Sequence, residues 1–121
     1  MKKTTLVIGA SLNESRYSNK AIRLLVENEI NTLAIGIKEG EVSDVHICVE
    51  KELFENIDTV TLYINPIIQK GYYDYILSLK PVRVIFNPGT ENNEFIEILK
   101  SNNILVEEAC TLVLLSTNQY N

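Results

Sequence analysis

Seven consecutive residues, Phe86-Asn87-Pro88-Gly89-Thr90-Glu91-Asn92, carry the strongest chemical signal in the sequence. They follow an apolar run from Val82 to Phe86, broken only by Arg83, and they precede a helical pattern. They therefore fall where a strand hands over to a helix. Pro88 and Gly89 call for a tight turn, and Thr90 or Asn92 can cap the helix that follows. Such a turn presents backbone N–H groups to a docked group, which favours an anion. The first strand ends in a similar way, with Thr5-Leu6-Val7-Ile8 running into Gly9-Ala10-Ser11. Two such corners in one small chain suit a ligand of nucleotide size.

Other candidates are distributed behind further strands. The first corner continues as Leu12-Asn13-Glu14-Ser15-Arg16-Tyr17-Ser18, without a GxGxxG fingerprint. Gly9 is either a point of close ligand approach or a structural glycine. Ser18 can cap the first helix and leave its N-terminal amides to a phosphate. Lys38 stands behind the second strand, where a nicotinamide-dinucleotide site places an acid against the ribose. A lysine there suits a phosphate, or simply faces solvent, and Glu39 and Glu41 stand beside it. Asn65-Pro66 closes the third long strand, and Pro66 can open a helix because its missing N–H has no intrahelical partner there. Asn-Pro then recurs at Asn87-Pro88.

Cys110 stands near the start of the last helix, where the dipole favours a thiolate, but a small buried core residue is the expectation. His46 is the only histidine, so a triad or a histidine-rich metal centre has little material. It reads as a structural or surface residue, and Tyr63, Tyr72, Tyr73 and Tyr75 read as packing. Cys48 and Cys110 lie far apart and imply neither a metal site nor a disulfide framework.

The elements that must hold these residues follow from the apolar pattern. The runs Thr5–Ile8, Thr32–Ile37, Thr59–Ile64, Val82–Phe86 and Ile104–Val106 are continuous rather than alternating, as parallel strands covered on both faces require. Helical spacing appears in 19–29, 67–79 (the stripe Ile68, Tyr72, Tyr75, Ile76, Leu79) and 93–100. Val45–Cys48 reads as an extra short strand, Lys51–Phe54 as one helical turn and Thr111–Ser116 as a closing helix. Alternating strand and helix implies an α/β, doubly wound, mainly parallel Rossmann-like sheet with helices on both faces, in three layers. The expectation is a single domain over residues 1–121.

In such sheets ligands bind at the carboxyl ends of the strands, where strand order reverses. The loops expected at that edge, 9–18, 36–40, 65–66, 87–92 and 108–111, are rich in Gly, Pro, Asn, Ser and Thr. The composition, 45% hydrophobic and 22% charged, is that of a globular protein. A formal net charge of -5 without a basic cluster counts against nucleic acid and anionic membrane as partners. Met1-Lys2-Lys3 and the short apolar run after it read as the approach to a first strand rather than a leader peptide, so a cytoplasmic location is expected.

Together these residues resemble the stand-alone CoA-binding domain proteins, small bacterial relatives of the N-terminal domain of the succinyl-CoA synthetase alpha subunit. The resemblance runs from Thr5 to Tyr120. It is carried by Gly9-Ala10-Ser11 with Arg16-Tyr17-Ser18, by Asp58 to Pro66, by Val84 to Asn92, and by Ala109-Cys110-Thr111-Leu112-Val113. It implies CoA or an acyl-CoA as ligand. The positions that would meet it are Gly9, Ala10, Ser11, Asn13, Arg16, Tyr17, Ser18, Lys38, Asn65, Pro66, Asn87, Pro88, Gly89, Thr90 and Cys110. Lys38 would stand by the adenosine phosphate and Asn87 to Gly89 along the pantetheine. The synthetase's phosphoryl-carrying histidine has no counterpart, and Ile35-Gly36-Ile37-Lys38 replaces an expected Asn-Pro-Lys. Binding without catalysis is thus the expected function. A nucleotide-dependent enzyme, for example one using NAD(P), and a ligand-free interaction module are the alternatives.

Overall fold

The computed structural model describes residues 3–121; Met1 and Lys2, where the basic stretch weighed as a leader begins, lie outside the described residues. Strands β1 (Thr4–Ala10), β2 (Asn31–Gly36), β3 (Gly40–Val42), β4 (Val45–Cys48), β5 (Ile57–Leu62), β6 (Arg83–Phe86) and β7 (Leu105–Glu108) form one sheet. Their order is β3-β4-β2-β1-β5-β6-β7. Each neighbouring pair is parallel except β3 with β4. Helices α1 (Tyr17–Glu27) and α5 (Thr111–Ser116) cover one face. The other face carries α2 (Pro66–Gln69), a 3-10 turn (Lys70–Tyr72), α3 (Tyr73–Leu79) and α4 (Asn93–Ser101). This is the expected doubly wound, three-layered Rossmann-like α/β fold.

Burial on both faces explains the unbroken apolar runs. In β1, Leu6 and Ile8 pack with Tyr75 and Ile76 of α3 and Phe95, Ile96 and Leu99 of α4. Val7, between them, turns to Ile22 and Leu25 of α1 and Leu115 of α5. The chain leaves β1 towards β2 on one side and returns to β5 on the other. The reversal of strand order therefore falls between β1 and β5.

Four expectations change. Residues 51–54 are not helical; γ-like backbone bonds Glu52 N–H to Glu50 O (3.1 Å) and Phe54 N–H to Glu52 O (3.0 Å) shape them instead. Tertiary tethers hold that strap in place: Lys51 Nζ donates to Gly71 O at 2.6 Å, and the Tyr75 hydroxyl donates to Glu52 O. The helix expected over 67–79 breaks at Lys70–Tyr72, around Gly71. The break turns Ile68 outward, 51% exposed, and brings Gln69 fully inside.

The first helix begins at Tyr17 behind Arg16, so Ser18 is a buried first-turn residue and makes no cap. Strand β3 had no counterpart among the expected elements. It exists because Ser43 and Asp44, at φ 47° and 65°, close a two-residue hairpin onto β4.

Candidate functional site

All the strands that precede the expected site loops are parallel, so the loops meet at one edge of the sheet. Gly9 to Ser18 follow β1, Lys38 follows β2, Asn65 and Pro66 follow β5, Asn87 to Thr90 follow β6, and Cys110 follows β7. Four strand spacings separate the Lys38 loop from Cys110, on the order of 19 Å. The edge thus gathers the candidate residues into a row rather than a compact pocket.

The β1–α1 loop sits at the reversal of strand order and is built with care. Gly9 interrupts the β1–β2 register as a bulge, at φ +96°. A Cβ there would lie 2.8 Å from Tyr63 O and 3.0 Å from Ile64 Cγ2, so the glycine is required by the neighbouring strand's backbone. Asn13 folds the loop by accepting from Ser15 N–H (3.0 Å) and Ser15 Oγ (2.7 Å). From beneath, the buried Asn19 donates to Ser11 O at 2.9 Å, and Arg23 donates to Asn19 Oδ1 (2.8 Å) and Glu14 O (2.9 Å).

At the mouth of this loop the start of α1 is unusual. No side chain caps it and no acid occupies its first turn. Arg16 stands at the N-cap and Lys20 one turn on, although the helix dipole disfavours cations at this end. Tyr17, 68% exposed, lies beside Lys20, whose Nζ is 5.3 Å from the ring centroid. Between residues 11 and 23 three cations face one acid, Glu14, in a chain of net charge -5. A local rule broken in this way, on an exposed turn, suits a bound anion.

The Asn87–Asn92 turn corrects its own first reading. Its amides are not bare: Gly89 N–H donates to Glu91 Oε1 at 2.9 Å and Thr90 N–H to Asn87 O at 3.0 Å. Asn92 is the helix cap, accepting from Phe95 N–H at 3.1 Å, while the Thr90 hydroxyl bonds Asn87 O at 2.7 Å. Asn65 caps α2 through Ile68 N–H at 2.9 Å, with Pro66 in the first turn as expected.

Two buried amides hold this side of the edge. Asn87 Nδ2 donates to Thr61 Oγ1 (2.6 Å) and Leu62 O (2.9 Å), and its Oδ1 accepts from Thr111 N–H (2.8 Å). Gln69 Nε2 donates to Ile64 O (2.9 Å) and Thr90 O (2.8 Å), and its Oε1 accepts from Asn92 (2.9 Å). The Asn87 side chain is therefore spent inward, and Pro88, Gly89 and Glu91 are the exposed members of the turn.

Beside Asn87 the Tyr63 hydroxyl is buried without a hydrogen-bond partner among the described residues, and burial pushes its acidity well below that of a free phenol. The neighbouring hydroxyls of Thr61 and Thr111 bond one another at 2.8 Å. Cys110 is half-buried at the N-cap of α5 rather than a core residue. Asn19 and Gln69 went unremarked in the sequence, and Thr111 was noted only as part of a loop, a helix and a motif. Asn19 and Gln69 carried one signal, a polar residue standing on the apolar stripe of its helix.

Two concavities, of about 340 Å³ and 250 Å³, lie at the opposite, amino-terminal edge. Turn residues such as Lys80, Pro81, Asn102 and Asn103 line the first, and Asn28 to Asn31 with Asp58 and Tyr120 the second. Neither gathers the candidate residues, which strand topology places at the other edge. Among the described residues no cluster could hold a metal ion, and no helix is long and apolar enough to cross a membrane.

A doubly wound Rossmann-like sheet with an open helix start at its switch point defines the class. The chain belongs to the CoA binding domain family, which matches residues 3–116. It is similar to a solved structure described as an uncharacterized protein, with 48% identity, 98% of each chain covered and a TM-score of 0.94. It is also similar to a cell-free product from Thermus thermophilus (24% identity, 98% of this chain and 90% of that one, TM-score 0.86). A hypothetical protein from Pyrococcus horikoshii OT3 matches at 18% identity, covering 99% of this chain and 85% of that one, with a TM-score of 0.86. These last two speak for the fold alone. No curated protein matches the chain.

Proposed function

We propose that the protein binds CoA or an acyl-CoA along the carboxyl edge of its sheet and performs no catalysis of its own. The observation that carries this is the start of α1, uncapped, free of acids and flanked by Arg16 and Lys20 at the switch point. Family membership supports CoA as the ligand class. The pyrophosphate would meet the amides of Tyr17, Ser18 and Asn19, within reach of Ser11 and Arg16. Ala10 and Asn13 border that contact, with Asn65 and Pro66 forming the next wall.

The row-like layout favours a long ligand. A nucleotide with a pantetheine arm is long enough to run from the Lys38 loop to Cys110, four strands away. In this reading the adenosine phosphate lies towards Lys38. The arm passes Pro88, Gly89 and Thr90, and the thiol or acyl end points to Cys110.

Thermal unfolding with CoA, NAD and ADP tests the proposal. CoA at about 100 times its dissociation constant is expected to add about 2.7 kcal/mol, a rise on the order of 10 °C in a chain of this size. A response to NAD with none to CoA would overturn it. Cys110 should not matter greatly: Cys110→Ser is expected to leave CoA affinity within about 3-fold and stability within about 1 kcal/mol. The residue is half-buried, and serine is the better N-cap. Calorimetric titration and urea unfolding measure both. A loss beyond 10-fold, or a mixed disulfide with CoA by mass spectrometry, would instead make this thiol part of the chemistry.

A further inference from the structure

His46 lies across from Glu41 in the β3–β4 hairpin and bridges two carboxylates. Its Nδ1 is 2.7 Å from Glu41 Oε2, and its Nε2 is 3.3 Å from Glu39 Oε2. Both glutamates flank the turn that leaves the carboxyl end of β2, immediately after Lys38. That turn is also in contact with the β1–α1 loop: a Cβ on Gly40 would fall 2.5 Å from Leu12 Cδ2. A charge change at His46 is thus placed against both parts of the edge that would meet phosphate.

We propose that His46 sets the charge of the Lys38–Glu41 turn, and through it the affinity of this end of the cleft for the terminal phosphate of a CoA-type ligand. The inference rests on the proposed CoA reading. With His46 neutral, the turn carries one lysine and two carboxylates, and its net negative charge repels a phosphate. With His46 protonated, two cations balance the two carboxylates and that repulsion is removed. Both glutamates are exposed, so the effect is screened over about 8–10 Å at ordinary salt and is confined to a nearby group.

The groups facing His46 are Glu41 from β3 and Glu39 from the turn before it. On its other side, β2 meets this part of β4 with Ala34 and Ile35, which carry no charge. Cys48, two residues along β4, has its thiol pushed up by burial and by Glu52 and Glu39, so it stays neutral here. The hydrogen bond to Glu41, together with the charge of Glu41 and the hydrogen bond and charge of Glu39, raises the imidazole above its ordinary 6.5 against the opposing effect of desolvation. A raised folded value means the clasp is fully formed below the ordinary value and is lost as the pH climbs through the raised one.

The test compares CoA affinity by calorimetry at about pH 6 and about pH 8 in the wild type and in His46→Gln. Glutamine keeps a hydrogen bond to one carboxylate but does not titrate, and the ligand phosphate's own titration cancels between the two proteins. The wild type is expected to gain about 3- to 10-fold at the lower pH relative to the variant. Dephospho-CoA should show a smaller gain. Equal pH dependence in the two proteins, with CoA still bound, overturns the role of His46 and leaves the CoA reading standing. No CoA binding at either pH removes that reading and this inference with it. Independently, the His46 ring titrated by NMR should have a midpoint above 6.5 that falls in Glu41→Gln; a midpoint at or below it overturns the clasp.

Discussion

Gly9→Ala is expected to cost about 2–6 kcal/mol of stability, and Gly9→Val to leave little folded protein at all. Two separate penalties add. Any side chain at φ +96° is strained by about 1–3 kcal/mol, and this Cβ would also press on Tyr63 O at 2.8 Å and Tyr63 C at 2.9 Å. Tyr63 directly follows β5 and its N–H is held by Ile8 O at 2.8 Å, so this backbone cannot give way cheaply and overpacking adds about 1–3 kcal/mol more. Gly89 supplies the control. Its φ is +92°, yet a Cβ there meets nothing within 4 Å. Gly89→Ala should therefore show strain alone, about 1–3 kcal/mol. Urea unfolding of the two alanine variants decides the matter: equal losses would mean that β5 moves aside and the close approach is soft. The comparison also says how binding data at Gly9 must be treated. Lost CoA binding in an unfolded Gly9→Val protein carries no information about the ligand.

The order of elements was legible because each central strand is buried on both faces, and that burial writes an unbroken apolar run into Leu6-Val7-Ile8 and Val84-Ile85-Phe86. Edge features were not. Strand β3 has three residues, and one of them, Glu41, faces solvent; its existence depends on the left-handed backbone of Ser43 and Asp44, which Ser43 does not announce. The break in the helix after Asn65 hid behind a stripe with correct spacing, because spacing cannot tell one helix from two short ones joined at Gly71. That the candidate residues share one sheet edge was legible through the loops, which follow the parallel strands and are rich in Gly, Pro, Asn, Ser and Thr. What polar side chains do there was not. Periodicity reports which positions are apolar, and it is silent on which polar groups are buried to hold a loop. Ser18 shows the same limit: it lies in the first turn of α1 and not before it, so the expected cap became an absence of any cap, which is the more informative finding for an anion site.

Asn87 carries the other large expected effect. Its side chain ties the carboxyl end of β5 to the start of α5, since Nδ2 holds Thr61 and Leu62 while Oδ1 holds Thr111 N–H at 2.8 Å. The residue is 2% exposed, so water does not readily replace it. Asn87→Ala leaves Leu62 O without this donor and Thr111 N–H without an acceptor, at about 1–3 kcal/mol for each group left unpaired, or roughly 3–5 kcal/mol in all. Asn87→Asp should do no better: one oxygen can still accept from Thr111, but the other then faces Leu62 O in a buried place. Hydrogen exchange gives a local readout, because the Thr111 amide should lose protection in both variants by more than the global loss of stability explains. A cost under about 1 kcal/mol for Asn87→Ala would show that the network re-forms around water. The position is where the resemblance led to expect a ligand contact, and the geometry explains the same residue by a different route. A side chain locked inward fixes where Pro88 and Gly89 project, so ligand contact at this corner would come from the two residues that Asn87 positions, and its loss should weaken binding only as far as it loosens the turn.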